Sequence, residues 1–240
     1  MSEVLHPIIY SLDDHQALVL ATRHENHPTD WKDGYYSFVH SEFGEFASQH
    51  GPAMTLLLHG VNRAEILSEN PELLDGIKEE IGDLLWFDFS AAALMNTDAK
   101  TLSSDALKVH TGKRYQLDTF ADLEEAVCSN AHKIEALTKW GIYHPELPHA
   151  QKYASLLGAP YYLFNRTTFR VTRALSKDKF DAAPLTASQM EPVSDLGLAI
   201  GDHINTLTYI AHLVGLSVED IARANIDKLQ QRAIYGKSEN

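Results

Sequence analysis

The strongest pattern of apolar positions along the chain lies at residues 77–89, IKEEIGDLLWFDF. At about 100° per residue, Ile81 and Leu84 share one side of a helix with Glu80. Asp83 lies at the edge of the same side. The pattern therefore predicts a helix that carries a carboxylate, Glu80, into the protein interior.

An earlier segment, residues 35–49, has the same arrangement in YYSFVHSEFGEFASQ. Phe38 and Phe46 flank Glu42 on one helical face, and Glu45 lies at the margin of that face. Each segment thus carries two acids one helical turn apart. Most pairs with this spacing lie on solvated helix faces, but two pairs set against aromatic residues indicate a site where four carboxylates meet.

A divalent cation is the simplest partner for such a site. An unpaired buried carboxylate costs several kcal/mol, so it takes up a proton, pairs with a cation or binds a metal. Mg²⁺ prefers oxygen ligands and is often shared between carboxylates and substrate phosphates; Mn²⁺ is the alternative ion. A ferritin-like di-iron bundle would need Glu-x-x-His pairs, whereas Glu45 and Asp83 occupy those positions here.

The rest of the chain is also helical in pattern, and no alternation typical of strands persists. We therefore predict an all-α fold. Leu18, Val19 and Leu20 are expected to face inward in the first helix. Ser217 is expected to cap the helix that follows the last break, and the polar segment 177–192 to form a surface loop. The predicted helices cover residues 13–25, 35–49, 51–69, 71–95, 101–109, 121–140, 151–176 and 193–235, the last interrupted at Gly215.

A short repeat links the two halves of the chain. The sequence EIGDLLW at 80–86 matches AIGDHIN at 199–205, and Ala199 stands where Glu80 stands. We predict two related, fused helical units, with boundaries at 1–116 and 117–240. The first carries the acidic site. The second is degenerate and completes the bundle and the phosphate site.

Composition excludes several classes of protein. The 240 residues include 20 Lys and Arg against 33 Asp and Glu, a formal charge of −13, which argues against nucleic acid as a partner. Cys128 is the only cysteine, so an intrachain disulfide and a thiolate zinc cluster are excluded. No basic leader and no run of 18 apolar residues occurs, and the expectation is a soluble cytoplasmic protein without a membrane partner.

Three motifs carry a family resemblance: EFGE at 42–45, KEEIGDLLW at 78–86 and NIDKLQQR at 225–232. Together they resemble the MazG-like all-α nucleoside triphosphate pyrophosphohydrolases, a group related to the dimeric dUTPases. The resemblance covers roughly residues 30–95 and 195–236. Ser41 stands where the family commonly has another Glu. The resemblance implies a MazG-like helical bundle, a nucleoside triphosphate substrate and a homodimer.

The same resemblance implies roles for individual residues. It makes Glu42, Glu45, Glu80 and Asp83 the catalytic acids that hold Mg²⁺, and Asn225, Lys228 and Arg232 the residues that bind metal-linked phosphates. Lys228 and Arg232 also lie four residues apart on one helical face and present donors suited to phosphate; an ordinary cationic helix end is the alternative. Trp31, in a turn-rich connection, is expected either to pack or to contact the nucleobase.

The predicted activity is Mg²⁺-dependent hydrolysis of a nucleoside triphosphate to the monophosphate and pyrophosphate. Deoxyribonucleotides or non-standard nucleotides are the expected substrates. Two alternatives stay open. One is a pyrophosphatase specific for dUTP or dCTP, and the other is a non-catalytic protein that binds nucleotides without releasing pyrophosphate.

Overall fold

The structure, a computed structural model, describes residues 10–23, 41–42, 44–46, 72–131 and 187–235. Helices account for 83% of these residues and no strand forms among them, which confirms the predicted all-α fold. Residues 41–42 and 44–46 are helical and are called the first acidic segment below. The longer helices are α1 (Leu12–Thr22), α2 (Glu72–Leu94), α3 (Ala99–Thr111), α4 (Phe120–Ser129), α5 (Ala187–Val214) and α6 (Val218–Tyr235).

Helices α2 and α5 form the centre of the core. Leu84 and Phe89 of α2 and Ile200 and Leu207 of α5 are at most 1% exposed. Every position is buried over residues 84–92 of α2 and 199–211 of α5, so these parts of the two helices are covered on every side. No helix in the described part of the chain is long and apolar enough to cross a membrane.

Glycine and capping residues in the sequence correctly predicted where several helices begin and end. Gly215, with φ at 68°, ends α5 in a left-handed turn, and Ser217 Oγ accepts a hydrogen bond from Asp220 N–H at 3.3 Å in the first turn of α6. Both features were predicted. Gly112, with φ at 74°, likewise ends α3.

Three expectations about elements were wrong. Leu20 is 43% exposed, because three consecutive helical residues spread over about 200° and cannot all face one core. Residues 187–192 belong to α5 rather than to a surface loop, because Ala187, Gln189, Met190 and Glu191 all have high helical propensity. The rest of the predicted loop, residues 177–186, lies outside the described residues. Helix α4 ends at Ser129, and the predicted helix is interrupted at Asn130, whose side chain donates to the Ala126 carbonyl oxygen at 2.7 Å. Ala131 is helical again, and residues 132–140 lie outside the described residues. The helices predicted at 51–69 and 151–176, and Trp31, lie outside the described residues.

The turn after α2 and the turn after α5 have the same backbone conformation. Asn96 and Gly215 both have positive φ, 55° and 68°, and lie 215 − 96 = 119 positions apart. The hydrogen bond that closes each turn runs from an N–H to the carbonyl oxygen five positions earlier, Thr97 to Ala92 at 3.1 Å and Leu216 to Ala211 at 2.9 Å. Helices α2 and α3 are therefore joined as α5 and α6 are.

The helices that precede each long helix also correspond. Both α1 and α4 begin with a capping box, formed by Ser11 with Asp14 and by Thr119 with Asp122. The side-chain oxygen of Gln16 in α1 accepts from Ala99 N–H at 3.2 Å, at the start of α3. That of Glu124 in α4 accepts from Val218 N–H at 2.8 Å, at the start of α6. Apart from the first acidic segment, the described chain thus forms two sets of three helices that are joined and capped in the same way.

Helix α2 packs against α6, the last helix of the other set, and helix α5 packs against α3. A glycine lies at each of these two contacts. A Cβ atom added to Gly82 would lie 2.9 Å from Asn225 Cβ, and one added to Gly201 would lie 3.0 Å from Ala106 Cβ. Gly82 and Gly201 lie 119 positions apart, and so do their partners Ala106 and Asn225. We call these contacts the α2/α6 crossing and the α3/α5 crossing. Their backbones approach closely because no side chain lies between them.

Candidate metal centre

Three glutamates meet beside the α2/α6 crossing. One carboxylate oxygen from each of Glu42, Glu45 and Glu80 lies within 4.8 Å of the others. Glu80 is 6% exposed, and its Oε2 atom has no hydrogen-bond partner among the described residues. A buried, unpartnered carboxylate oxygen beside two further carboxylates is a donor set that fits a hard divalent cation.

The local sequence explains how Glu80 comes to be buried. Ile77, Ile81 and Leu84 surround it on the same side of α2 and are each at most 2% exposed, as the helical spacing predicts. The first acidic segment supplies the other two acids, with Phe46 buried at 1%. Glu45 is exposed and Glu42 half-buried, so the cluster runs from the interior to the solvent.

Burial and mutual repulsion shift the proton affinity of these acids. Burial, together with the charges of Glu42 and Glu45, raises the pKa of Glu80 to about 7. Burial likewise raises the pKa of Glu42 to about 7, with Asp83 and Glu45 adding to the effect and Lys228 opposing it. These acids share protons near neutral pH, and a bound cation would displace those protons.

Asp83 connects the glutamates to the cationic side of the crossing. Lys228 Nζ donates to both of its carboxylate oxygens at 2.7 Å, and Asn225 Nδ2 donates to its Oδ1 atom. Asn225 is 4% exposed, and its Oδ1 atom has no partner in the described part of the chain. The four predicted acids are thus arranged as three clustered glutamates and one aspartate held by two donors.

Two residues at the outer end of the crossing complete the arrangement. Glu79 Oε1 lies 3.1 Å from Lys228 Nζ and 3.9 Å from an Arg232 guanidinium nitrogen. We call Glu79, Asp83, Lys228 and Arg232 the charge ladder. The sequence analysis did not select Glu79, although its i, i+4 spacing with Asp83 matches that of Lys228 with Arg232.

Ser41 lies beside the cluster. Its hydroxyl donates to Glu45 Oε1 at 3.4 Å. Ser41 is therefore a neutral donor that orients Glu45, at a position where the family that the chain resembles commonly has a glutamate.

The α3/α5 crossing lacks nearly all of these groups. Asp202, the counterpart of Asp83, has its Oδ1 atom 2.5 Å from His110 Nε2. Four further counterparts, each 119 positions away, are apolar: Leu198 for Glu79, Ala199 for Glu80, Ala106 for Asn225 and Val109 for Lys228. Only Arg232 has a cationic counterpart, Lys113. No second carboxylate cluster with ligand spacing occurs among the described residues.

Comparison with known proteins returned no match to a family, to a curated protein or to a solved structure.

Proposed function

We propose that this chain hydrolyses nucleoside triphosphates to the monophosphate and pyrophosphate, with Mg²⁺ or Mn²⁺ held by Glu42, Glu45 and Glu80 and with Asp83 completing the site. One observation carries the proposal. Glu80 is buried with an oxygen that has no partner among the described residues, and it lies beside two further glutamates. On the same helix, Asp83 meets Lys228, and Glu79 lies near Arg232. An acidic site joined to a cationic one suits a substrate that brings both a metal and phosphates.

The balance of charge supports a metal-linked anion rather than a free one. Five carboxylates gather here against two cationic side chains, namely Glu42, Glu45, Glu79, Glu80 and Asp83 against Lys228 and Arg232. A bare polyphosphate would be repelled by the excess of negative charge. A divalent cation would offset most of this excess at the glutamates and would leave the two cationic side chains to meet the terminal phosphates.

Each side chain has a distinct part in the proposed reaction. The bound cation would supply Lewis acidity and lower the pKa of a coordinated water. Glu45, at the exposed margin, orients the attacking water and accepts its proton. Lys228 and Arg232 neutralise the charge that develops on the departing pyrophosphate. Asn225 holds Asp83 in place through its amide, so that one face of α2 stays directed at the site.

The test is pyrophosphate release from a panel of ribo- and deoxyribonucleoside triphosphates, with Mg²⁺, with Mn²⁺ and with EDTA. We expect metal-dependent release, and the preferred base separates a broad activity from one specific for dUTP or dCTP. Nucleotide binding without release from any member, by a folded protein, would contradict the proposal and favour a non-catalytic nucleotide-binding protein. The homodimer implied by the resemblance stays a prediction, which sedimentation of the full chain tests.

A further inference from the structure

The two helix crossings provide an internal comparison for the charge ladder. Both crossings close on a glycine, with Gly82 facing Asn225 in one and Gly201 facing Ala106 in the other. The α3/α5 crossing packs in this way with Leu198 and Val109 where the ladder has Glu79 and Lys228. The ladder is therefore not required to hold two helices together at such a contact. It occurs only at the crossing, within the described chain, that also carries the glutamate cluster.

Solvent reaches the outer end of the ladder more than the inner end. The side chains of Glu79 and Arg232 are 51% and 54% exposed, whereas those of Asp83 and Lys228 are 22% and 21% exposed. The inner pair is held by two contacts at 2.7 Å. The outer pair is separated by 3.9 Å, and exposed ion pairs of this kind are weak.

We propose that Glu79 is a positioning residue that competes with phosphate for Lys228 and Arg232, and thereby limits how tightly the site retains pyrophosphate. The inference rests on the proposed function. A phosphate group presents several charged oxygens and can engage a guanidinium through two hydrogen bonds, so it displaces a single exposed carboxylate. When the phosphate leaves, Glu79 takes the two cations back.

Removing the charge of Glu79 should therefore strengthen the binding of pyrophosphate. The Glu79→Gln change removes a competitor for both cations and one negative charge from the path of an anion. The expected gain is roughly three- to tenfold in Kd, the size that corresponds to the loss of one or two exposed ion pairs. In turnover, KM should fall while kcat does not rise, because product leaves more slowly.

Calorimetric titration of inorganic pyrophosphate into the full chain, with Mg²⁺ in excess, tests the proposal without requiring turnover. Glu79→Gln should bind more tightly than the unchanged protein, and the difference should shrink as salt is added. Glu79→Asp keeps the charge and should bind nearly as the unchanged protein does. Glu72→Gln is the matched control, since Glu72 is exposed on the same helix two turns earlier, and it should leave Kd unchanged.

An equal or weaker affinity of Glu79→Gln would overturn the proposal, since Glu79 would then support the cations rather than compete for them. Equal gains in Glu79→Gln and Glu72→Gln would also overturn it, by showing a general effect of net charge. A protein that binds pyrophosphate but hydrolyses no nucleotide contradicts the proposed function alone. A protein that binds no pyrophosphate under any condition contradicts both.

Discussion

The α2/α6 and α3/α5 crossings have one backbone arrangement and two different chemistries. A glycine lies at each contact: a Cβ atom on Gly82 would lie 2.9 Å from Asn225 Cβ, and one on Gly201 would lie 3.0 Å from Ala106 Cβ. At one crossing an aspartate meets Lys228 and Asn225 beside a cluster of glutamates. At the other, the corresponding aspartate, Asp202, meets His110. The close packing of helices and the charged site are thus separable features of this fold.

The core between the two crossings shows the same asymmetry. His203 Nδ1 of α5 lies 2.7 Å from a carboxylate oxygen of Asp88 in α2, and both side chains are at most 1% exposed. The residues 119 positions away, Leu84 and Leu207, are apolar and fully buried. One half of the α2/α5 contact therefore holds a buried polar pair where the other half holds two leucines.

The largest expected effect comes from breaking that pair. His203→Leu leaves the Asp88 carboxylate buried without its imidazole partner, and we expect a loss of about 3–5 kcal/mol in the free energy of unfolding. The double change, Asp88→Leu with His203→Leu, makes this half resemble the other and should recover most of the loss. Urea unfolding followed by circular dichroism measures both. A double variant no more stable than the single one would show that the halves of the core are not equivalent in shape.

Substitution of the two glycines separates packing from function. In Gly201→Ala the new Cβ would lie 2.0 Å from the Leu102 carbonyl oxygen, so the backbone of α3 must move, at a cost of about 3 kcal/mol. In Gly82→Ala the new Cβ would lie 2.9 Å from Asn225 Cβ, a side-chain atom. We expect a smaller loss of stability than in Gly201→Ala. We also expect turnover to fall, because the shift of α6 moves Lys228 away from Asp83.

Gly44→Ala is the control for both glycine variants, because no atom of the described residues lies within 4 Å of the added Cβ. Thermal unfolding and pyrophosphate release are measured on all three proteins. A Gly82→Ala protein with full activity would mean that the close approach of α6 to α2 does not position the site.

The two aspartates form the next matched pair. Asp83→Asn removes the charge that holds Lys228 beside the glutamates, and we expect turnover to fall about 100-fold, as for residues that orient a metal site. Asp202→Asn makes the same change at the α3/α5 crossing and should leave turnover within a factor of two or so of the unchanged protein. Equal losses in the two variants would remove the functional distinction between the crossings.

The smallest effect concerns pH. The pKa values of Glu42 and Glu80 rise from 4.5 to about 7 on folding, so the folded state favours their protonated forms. The stability of the metal-free chain should therefore be greatest near pH 4.5 from these groups and decline as pH rises toward 7. Thermal unfolding in EDTA should show midpoints that fall by a few degrees over this range. With Mg²⁺ the trend should reverse, because the cation competes with protons.

Local physics made part of this structure predictable. The spacing of apolar residues around Glu80 indicated a buried acid, and Gly215 and Ser217 indicated where α5 ends and α6 begins. These signals extend over a single helical turn. The match of EIGD to AIGD, which indicated two related units, includes the two glycines at which the crossings close.

The partners across the crossings could not be predicted in the same way. Lys228 reaches Glu79 over 149 positions of sequence and Asp83 over 145. Helical spacing defines the face on which a side chain lies, but not which other face it meets. For this reason Glu79 was overlooked, and the His110 contact of Asp202 had no signal in the sequence.

The central claim is that buried Glu80 helps to hold a divalent cation. Titration of Mg²⁺ into the metal-free chain near pH 7, in two buffers of different ionisation enthalpy, tests it most directly. We predict saturable binding that releases protons from the glutamate cluster in the unchanged protein, and no measurable binding in a folded Glu80→Gln variant. Equal affinity and equal proton release in the two proteins would contradict the claim.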